Sequence, residues 1–149
     1  MLKQLIIHQD ENLNKEFTSD PECLSILSVY PGFYRKVGFD IPWVGYFFAD
    51  ANNEIKGCGG YKGKPVDGKI EIAYGTFKKF ERQGIATEIC RQLVILARET
   101  DKEVKITART LPENNTSTRV LKRNGFCFAG EIYDEEDGNV WEWEFNKPI

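Results

Sequence analysis

The sequence predicts an α/β (α+β) fold, in which helices flank a mixed, largely antiparallel central sheet. Segments with the two-residue alternation of strands and segments with helical periodicity follow one another in an irregular order, which fits neither a strict β–α repeat nor an all-β chain. The chain is also 41% hydrophobic and 29% charged, a balance typical of globular proteins. Because no repeat and no linker divides it, we expect a single domain over residues 1–149.

The first part of the chain is predicted to hold a strand, a helix and an irregular segment. Residues 2–8 form a short run with β-branched side chains and are the predicted strand. Residues 19–30 are the predicted helix, because a Ser-Asp pair can cap it and Pro21 suits its first turn. The prolines and glycines of residues 31–45 favour an irregular segment or a broken helix.

The remaining segments alternate between strands and two helices. The long helix is the clearest of them, since Ile85, Ile89 and Leu93 recur at the spacing of one helical face. Either Asn114 or Asn115 can cap the short helix. We predict strands at 44–50, 54–63, 69–77 and 103–109, two strands around Asp137-Gly138, a helix from about Gly84, a short helix within 112–126, and parallel crossovers around these two helices.

Charge and cysteine usage exclude several functional classes. A net charge of −3 argues against a general binder of nucleic acid or of anionic membranes. The four cysteines are far apart and His8 is the only histidine, so the close ligand pairs of a zinc site are missing. No apolar stretch reaches the ~18 residues of a membrane span. We therefore expect a cytoplasmic protein with reduced thiols, no metal, and no nucleic-acid or membrane partner.

The segment FERQGIATE, residues 80–88, has the chemistry of an anion-binding turn. It joins a predicted strand to the long helix, so unpaired backbone N–H groups and the positive end of the helix dipole meet there. Gly84 and Ala86 keep large side chains away, and Arg82 adds positive charge. A polyphosphate ligand is therefore reasonable, although a glycine that simply starts a helix explains the segment equally well. Neither the P-loop nor the dinucleotide fingerprint occurs in the chain.

This segment and a second one resemble motifs of the GNAT superfamily of N-acetyltransferases. The acetyl-CoA loop of that family has the motif [Q/R]-x-x-G-x-[G/A]. Residues 81–86, ERQGIA, are similar to this motif, except that Glu81 stands in its first position. Residues 113–126, ENNTSTRVLKRNGF, resemble the family's N-x-x-S…G-F helix. EIAYG before the loop and ATE after it are similar to the branch of ribosomal-protein alanine acetyltransferases. The resemblance covers residues 43–145.

The resemblance implies that acetyl-CoA is the cosubstrate. It implies that the loop holds the pyrophosphate of CoA through backbone N–H groups, and that the preceding strand pairs with the pantetheine arm. Asn114 would reach that arm from a later loop, although a plain helix cap explains Asn114 as well. Gly75 is expected to allow a bulge and a close approach. The cofactor-binding residues so implied are Tyr74, Gly75, Thr76, Arg82, Gln83, Gly84, Ile85, Ala86, Thr87 and Asn114.

The implied reaction moves an acetyl group from the CoA thioester to the primary amine of a small molecule or peptide. An amine attacks only when neutral, and an unperturbed lysine has a pKa of about 10.4, so a base is useful. Glu71 is the candidate base and Tyr133 the candidate acid, but a solvated strand glutamate and a packing tyrosine are alternative interpretations. Leu121 stands where some relatives carry a tyrosine acid. That departure favours, as an alternative, a catalytically silent CoA-binding sensor.

The acceptor amine is not identified by the sequence. Aromatic residues are dense between positions 30 and 46, where core packing, an aromatic-walled pocket or a dimer surface would each account for them. A monomer and a homodimer both fit the sequence. A third class, a nucleotide-binding domain that uses the Gly84 turn, would bind ATP or NAD more tightly than CoA.

Overall fold

A seven-stranded sheet forms the centre of the computed structural model, which describes residues 1–146. Its strands are β1 (Lys3–Ile6), β2 (Gly45–Ala49), β3 (Ile55–Tyr61), β4 (Lys69–Thr76), β5 (Lys105–Thr110), β6 (Phe126–Asp134) and β7 (Gly138–Phe145). The spatial order is β1-β2-β3-β4-β5-β7-β6. Only β4 and β5 are parallel neighbours within this sheet, and the other neighbouring pairs are antiparallel. The predicted mixed, largely antiparallel sheet is confirmed.

Two helices make the parallel crossovers of the sheet. The helices of the described chain are α1 (Pro21–Leu27), α2 (Tyr30–Val37), α3 (Ile85–Thr100) and α4 (Thr116–Arg123), with short 3₁₀ helices at Glu11–Phe17 and Lys78–Phe80. The helix α3 leads from β4 to its parallel neighbour β5. The helix α4 leads from β5 to β6, which runs parallel to β5 with β7 inserted between them. Both crossovers therefore follow the predicted helices.

A large part of the core lies between α3 and one face of β3 and β4. Ile70 and Ile72 of β4 are buried on that face. Gly57 and Gly59 of β3 lie beneath α3, where an added Cβ at either position would come within 3.0 Å of the Ile89 side chain. The missing side chains thus allow α3 to approach the sheet closely. The opposite face of β4 is left for polar residues and for α2.

The helical segment before β2 differs from the prediction. Asp20 caps α1, and its carboxylate accepts a backbone N–H two residues on. The helix α1 ends at Leu27, and Tyr30 begins α2 instead of ending α1. The prediction of an irregular or broken helix was wrong for α2, because Pro31 lies in its first turn, where a missing N–H costs no hydrogen bond. The irregular segment is limited to residues 38–44.

The aromatic residues of this segment divide between core and surface. Tyr34 is buried, and its hydroxyl donates to the carbonyl of Ile7 at 2.8 Å and accepts the N–H of Gly45 at 3.0 Å. It thereby ties α2 to the first two strands. The rings of Tyr30 and Phe33 line a cleft beside β4. Core packing thus explains Tyr34, and the aromatic-walled pocket explains the other two.

The hairpin of β6 and β7 closes the far side of the sheet. Its turn occupies residues 135–137, and Gly138 begins β7 with φ of 75°. Trp143 and Phe145 of β7 are buried. The aromatic alternation of this strand therefore covers the core.

Candidate active site

The strands β4 and β5 are paired over only the first half of β4. The parallel ladder runs from Lys69 and Lys105 to Ile72 and Ala108, whereas β4 continues for four more residues. Residues 73–76 remain bonded to β3 on one edge and face a gap on the other. Because an open strand edge presents free N–H and C=O groups, this edge can pair with an extended ligand.

The N-terminus of α3 lies just beyond the end of β4. Gly84 is its N-cap with φ of 76°, and Arg82 also has a positive φ, of 66°. The N–H of Glu88 donates to the Gly84 carbonyl at 3.1 Å, so the N–H groups of residues 85–87 have no partner within the helix. An added Cβ at Gly84 would meet nothing within 4 Å. The turn therefore combines free donors, the helix dipole and open space, which suit a phosphate.

Tyr74 and Gly75 lie on the unpaired edge of β4. The Tyr74 hydroxyl donates to the carbonyl of Ser117 at 3.2 Å and thereby links β4 to α4. Burial raises the pKa of Tyr74, so the phenol stays protonated. The expected bulge at Gly75 was wrong, because Gly75 lies opposite Cys58 in a regular antiparallel ladder. An added Cβ at Gly75 would meet nothing within 4 Å, so open space adjoins the strand there.

The cap of α4 is Asn115. Its side chain accepts the N–H of Thr118 at 3.0 Å, and the Thr118 hydroxyl accepts the N–H of Asn115 at 2.9 Å, which completes a capping box. Asn114, one residue earlier, is exposed. The capping role is therefore taken by its neighbour, and contact of Asn114 with pantetheine stays a prediction.

A cleft of about 940 Å³ lies on the face of β4 opposite α3. Tyr30 and Phe33 of α2 form one wall, with their rings edge to face at 5.6 Å. Gly75 also lines the cleft, which therefore reaches the unpaired edge of β4. Burial raises the pKa of the Tyr30 phenol. It also raises the pKa of the Cys58 thiol, which lines the same cleft, to about 11. Both groups are therefore uncharged at neutral pH.

Charged side chains form the floor of this cleft. The Glu71 carboxylate contacts Lys62 Nζ at 2.7 Å and Arg109 Nε at 3.5 Å. Arg109 also contacts Asp134 at 2.8 Å and Glu142 at 3.9 Å, so one guanidinium holds three carboxylates. These residues belong to separate strands and loops, and no local pattern indicated that they meet.

The rim of the cleft is formed by α2 and the turn between β6 and β7. Asp134 accepts the N–H groups of Glu136 and of the next residue, and these bonds, with Arg109, hold the pKa of Asp134 below its usual range. Lys36 of α2 reaches Glu136 at 3.0 Å across the mouth. Tyr133, the candidate acid, is 73% exposed on this rim.

Two further properties concern metals and membranes. Within residues 1–146, no group of three or more His, Cys, Asp or Glu side chains is placed to hold a metal ion. None of the helices in this described part is both long and apolar enough to cross a membrane.

A family model described as an acetyltransferase (GNAT) domain matches residues 5–127. The chain belongs to the GNAT acetyltransferase family. Among curated proteins, this GNAT chain is 34% identical over 90 residues to the uncharacterized N-acetyltransferase YjdG of Bacillus subtilis (strain 168), an alignment that covers 60% of the chain and 52% of that protein. The chain therefore spans about half the length of this curated relative.

Solved structures of acetyltransferases share the fold of this GNAT chain. The aminoglycoside acetyltransferase AAC(6')-Ib in complex with coenzyme A and kanamycin superposes with a TM-score of 0.68 at 18% identity, covering 97% of the chain and 94% of that structure. The ribosomal-protein-S5-alanine acetyltransferase of Vibrio fischeri gives a TM-score of 0.61 at 15% identity, covering 83% and 67%. The resemblance and the fold class drawn from the sequence are confirmed.

Proposed function

We propose that this GNAT protein is an acetyl-CoA-dependent N-acetyltransferase, with residues 1–149 forming one domain. It would transfer the acetyl group of the CoA thioester to the primary amine of a small molecule or peptide. The observation that carries the proposal is the unpaired edge of β4 at residues 73–76. That edge lies between the anion-binding end of α3 and the charged cleft on the opposite face. Two substrates bound on either side would meet at this edge, which supplies proximity and orientation.

The residues of this chain fit acetyl-CoA as the cosubstrate. The free N–H groups of residues 85–87, with Arg82 and Gln83 beside them, would hold the pyrophosphate. The backbone of residues 74–76 would pair with the pantetheine arm, and Asn114 would reach it from the loop before α4. The acetyl thioester supplies the activated acyl group. The open space at Gly75 and Gly84 supports this fit.

Glu71 is the candidate base for the amine. Its carboxylate is 17% exposed and faces the cleft on the same side of β4 as Ala73, the first residue of the unpaired edge. A bound ammonium must lose a proton before it attacks, and Glu71 would accept it directly or through a water molecule. A backbone N–H of the edge would stabilise the oxyanion. Tyr133 is the candidate acid that protonates the leaving thiolate.

The lining of the cleft suits an organic ammonium as acceptor. The rings of Tyr30 and Phe33 can pack on its carbon atoms, and an ammonium can lie over an aromatic face. The lining side chains include four carboxylates, which give the cleft an excess of negative charge over its three cations. They are Glu71, Asp134, Glu135 and Glu136, against Lys36, Lys62 and Arg109. This balance supports a cationic amine and disfavours an anionic one.

The proposal is tested first by thermal unfolding with acetyl-CoA, ATP or NAD. A ligand at a hundred times its Kd stabilises the folded state by about 2.7 kcal/mol, which corresponds to a Tm rise of roughly 5–10 °C for a domain of this size. We expect the rise with acetyl-CoA and not with ATP or NAD. Release of free CoA thiol in the presence of a panel of primary amines then measures the transfer. Binding without thiol release for any amine would support the sensor alternative, and no Tm rise would contradict both.

A cytoplasmic location and a monomer or homodimer without nucleic-acid or membrane partners complete the proposal. All four cysteines are free thiols. Burial raises the pKa of Cys23 and of Cys90 to about 12, so both thiols stay protonated at neutral pH. Sedimentation of the purified protein measures its oligomeric state.

A further inference from the structure

We propose that Lys62 is an internal acceptor, which the protein acetylates with its own active site. The proposal rests on the proposed function, because it uses the same thioester and the same base. Lys62 lines the acceptor cleft, and its ammonium lies 2.7 Å from the Glu71 carboxylate. This is the shortest ion pair within residues 1–146. An amine of the protein thus already occupies the position that an external amine would take beside the candidate base.

The backbone brings Lys62 to the reacting edge. Lys62 follows β3 directly, and its N–H donates to the Glu71 carbonyl at 2.9 Å, so the two residues lie opposite each other. Ala73 is the next residue of β4 on the same face, about 7 Å from Glu71 along the strand. The Lys62 side chain is 43% exposed and has a flexible four-carbon stem. It can therefore move from the carboxylate to a thioester bound at residues 73–76.

Neighbouring lysines lack this arrangement. Lys36 also lines the cleft, but its ammonium binds Glu136 at the outer rim. Lys64, two residues after Lys62, lines a separate groove with Asp40 and Trp43. Lys62 is the lysine that contacts the candidate base, so acetylation by the active site should select it. Chemical acetylation in solution would follow exposure instead.

The step balances with acetyl-CoA as the acyl donor. Glu71 removes one proton from the Lys62 ammonium and passes it to water. The nitrogen lone pair then forms a bond to the carbonyl carbon, and the carbon–sulfur bond breaks. The second proton lost by the nitrogen goes to the CoA thiolate. The products are an acetylated Lys62, free CoA and one proton. Because acetyl-lysine has no charge, Glu71 is then released from this ion pair and can serve an external amine.

The test follows acetyl occupancy of every lysine over time by peptide mass spectrometry after addition of acetyl-CoA to the folded protein. We expect Lys62 to react at least about 100-fold faster than Lys64, since general-base catalysis contributes 10²–10⁴-fold. The rate per molecule should not change on dilution, because the acceptor and the base belong to one chain. Lys64→Arg is the matched control and should leave the labelling of Lys62 unchanged. Lys62→Arg should remove the fast site.

Glu71→Gln separates enzymatic from chemical labelling. It should slow acetylation of Lys62 by acetyl-CoA about 100-fold. With an N-hydroxysuccinimide acetyl ester, which needs no enzyme, Lys62 in the same variant should react at least as fast as in the wild type, because the ion pair is gone. Equal slowing with both reagents would show that the substitution lowers the general reactivity of Lys62 and not a catalysed step, and would overturn the catalytic interpretation.

Two other outcomes would overturn the internal-acceptor proposal. One is equal labelling of Lys62 and Lys64 by acetyl-CoA. The other is an unmodified Lys62 in a protein that binds acetyl-CoA and acetylates an external amine, which would leave the proposed function intact. Failure to bind acetyl-CoA at all would contradict the proposed function itself, so the two failures are distinguishable.

Discussion

Replacing Gly84 with alanine tests whether the N-terminus of α3 is a binding site or only the start of a helix. The substitution forces an L-residue into the left-handed region at φ of 76°, at a cost of ~1–2 kcal/mol. Gly68 has the same φ of 76°, and an added Cβ there also meets nothing within 4 Å. Gly68→Ala is therefore a matched control. Both variants should lower the Tm by a similar amount, roughly 2–8 °C.

The two variants should differ in their response to acetyl-CoA. A hydrogen bond to a charged group contributes about 1.5–3 kcal/mol, so a methyl group that keeps one N–H of α3 from the pyrophosphate should weaken binding about 10- to 150-fold. A fluorimetric melting titration should show the full ligand-dependent rise for Gly68→Ala and a titration displaced to higher concentration for Gly84→Ala. Coincident titration curves for the two variants would refute the location of the phosphate site at this turn.

Four further predictions concern the cleft, its rim and α4. Glu71→Gln should lower kcat/KM for an external amine about 100-fold while acetyl-CoA still raises the Tm. Tyr133→Phe should lower kcat, and acetyl-CoA should raise its Tm as it does for the wild type. Release of free CoA thiol measures the rate of both variants. Leu121→Tyr should lower the Tm and give no gain in rate, because Leu121 is fully buried and overpacking costs ~1–3 kcal/mol. The turn after β6 should loosen in acid, as seen by a lower amide protection factor at Glu136, which corrects for the pH dependence of intrinsic exchange. The Glu136 N–H bond to the Asp134 carboxylate is fully formed above the ordinary aspartate pKa of about 3.9. It is lost as the pH falls through the lowered pKa of Asp134 in the folded protein. Asp134→Asn is the pH-independent reference.

The elements predicted correctly are those whose signal lies in adjacent residues. The helix α3 follows from apolar residues one turn apart, and its cap from Gly84 in a strand-to-helix turn. Pro31 misled the prediction because its effect depends on its position in the helix: in the first turn of α2 it is tolerated, and a few residues later it would break the helix. The predicted bulge at Gly75 was wrong because a glycine in a strand can mark either a bulge or open space beside a regular strand, and Gly75 marks open space.

The floor of the cleft could not be predicted from the sequence. Lys62, Glu71 and Arg109 meet because β4 lies between β3 and β5, and strand order has no local signature. The insertion of β7 between β5 and β6 brings Glu142 to Arg109 in the same way. The motif residues of the turn before α3 are neighbours in the chain, whereas the charged residues of the cleft are neighbours only in the folded sheet. This explains why the sequence predicted the proposed cofactor site in more detail than the proposed acceptor site.

The inserted position of β7 also governs how the protein is made. Of the seven strands, β7 is the last to leave the ribosome, yet it pairs with both β5 and β6. Until it emerges, the nascent chain exposes the outer edge of β5, a template for pairing with other chains. Arg109 lacks its Glu142 contact over the same interval. Translation that stalls before residue 138 should therefore yield an aggregation-prone fragment, and the cleft beside β4 should form only in the final stage of synthesis.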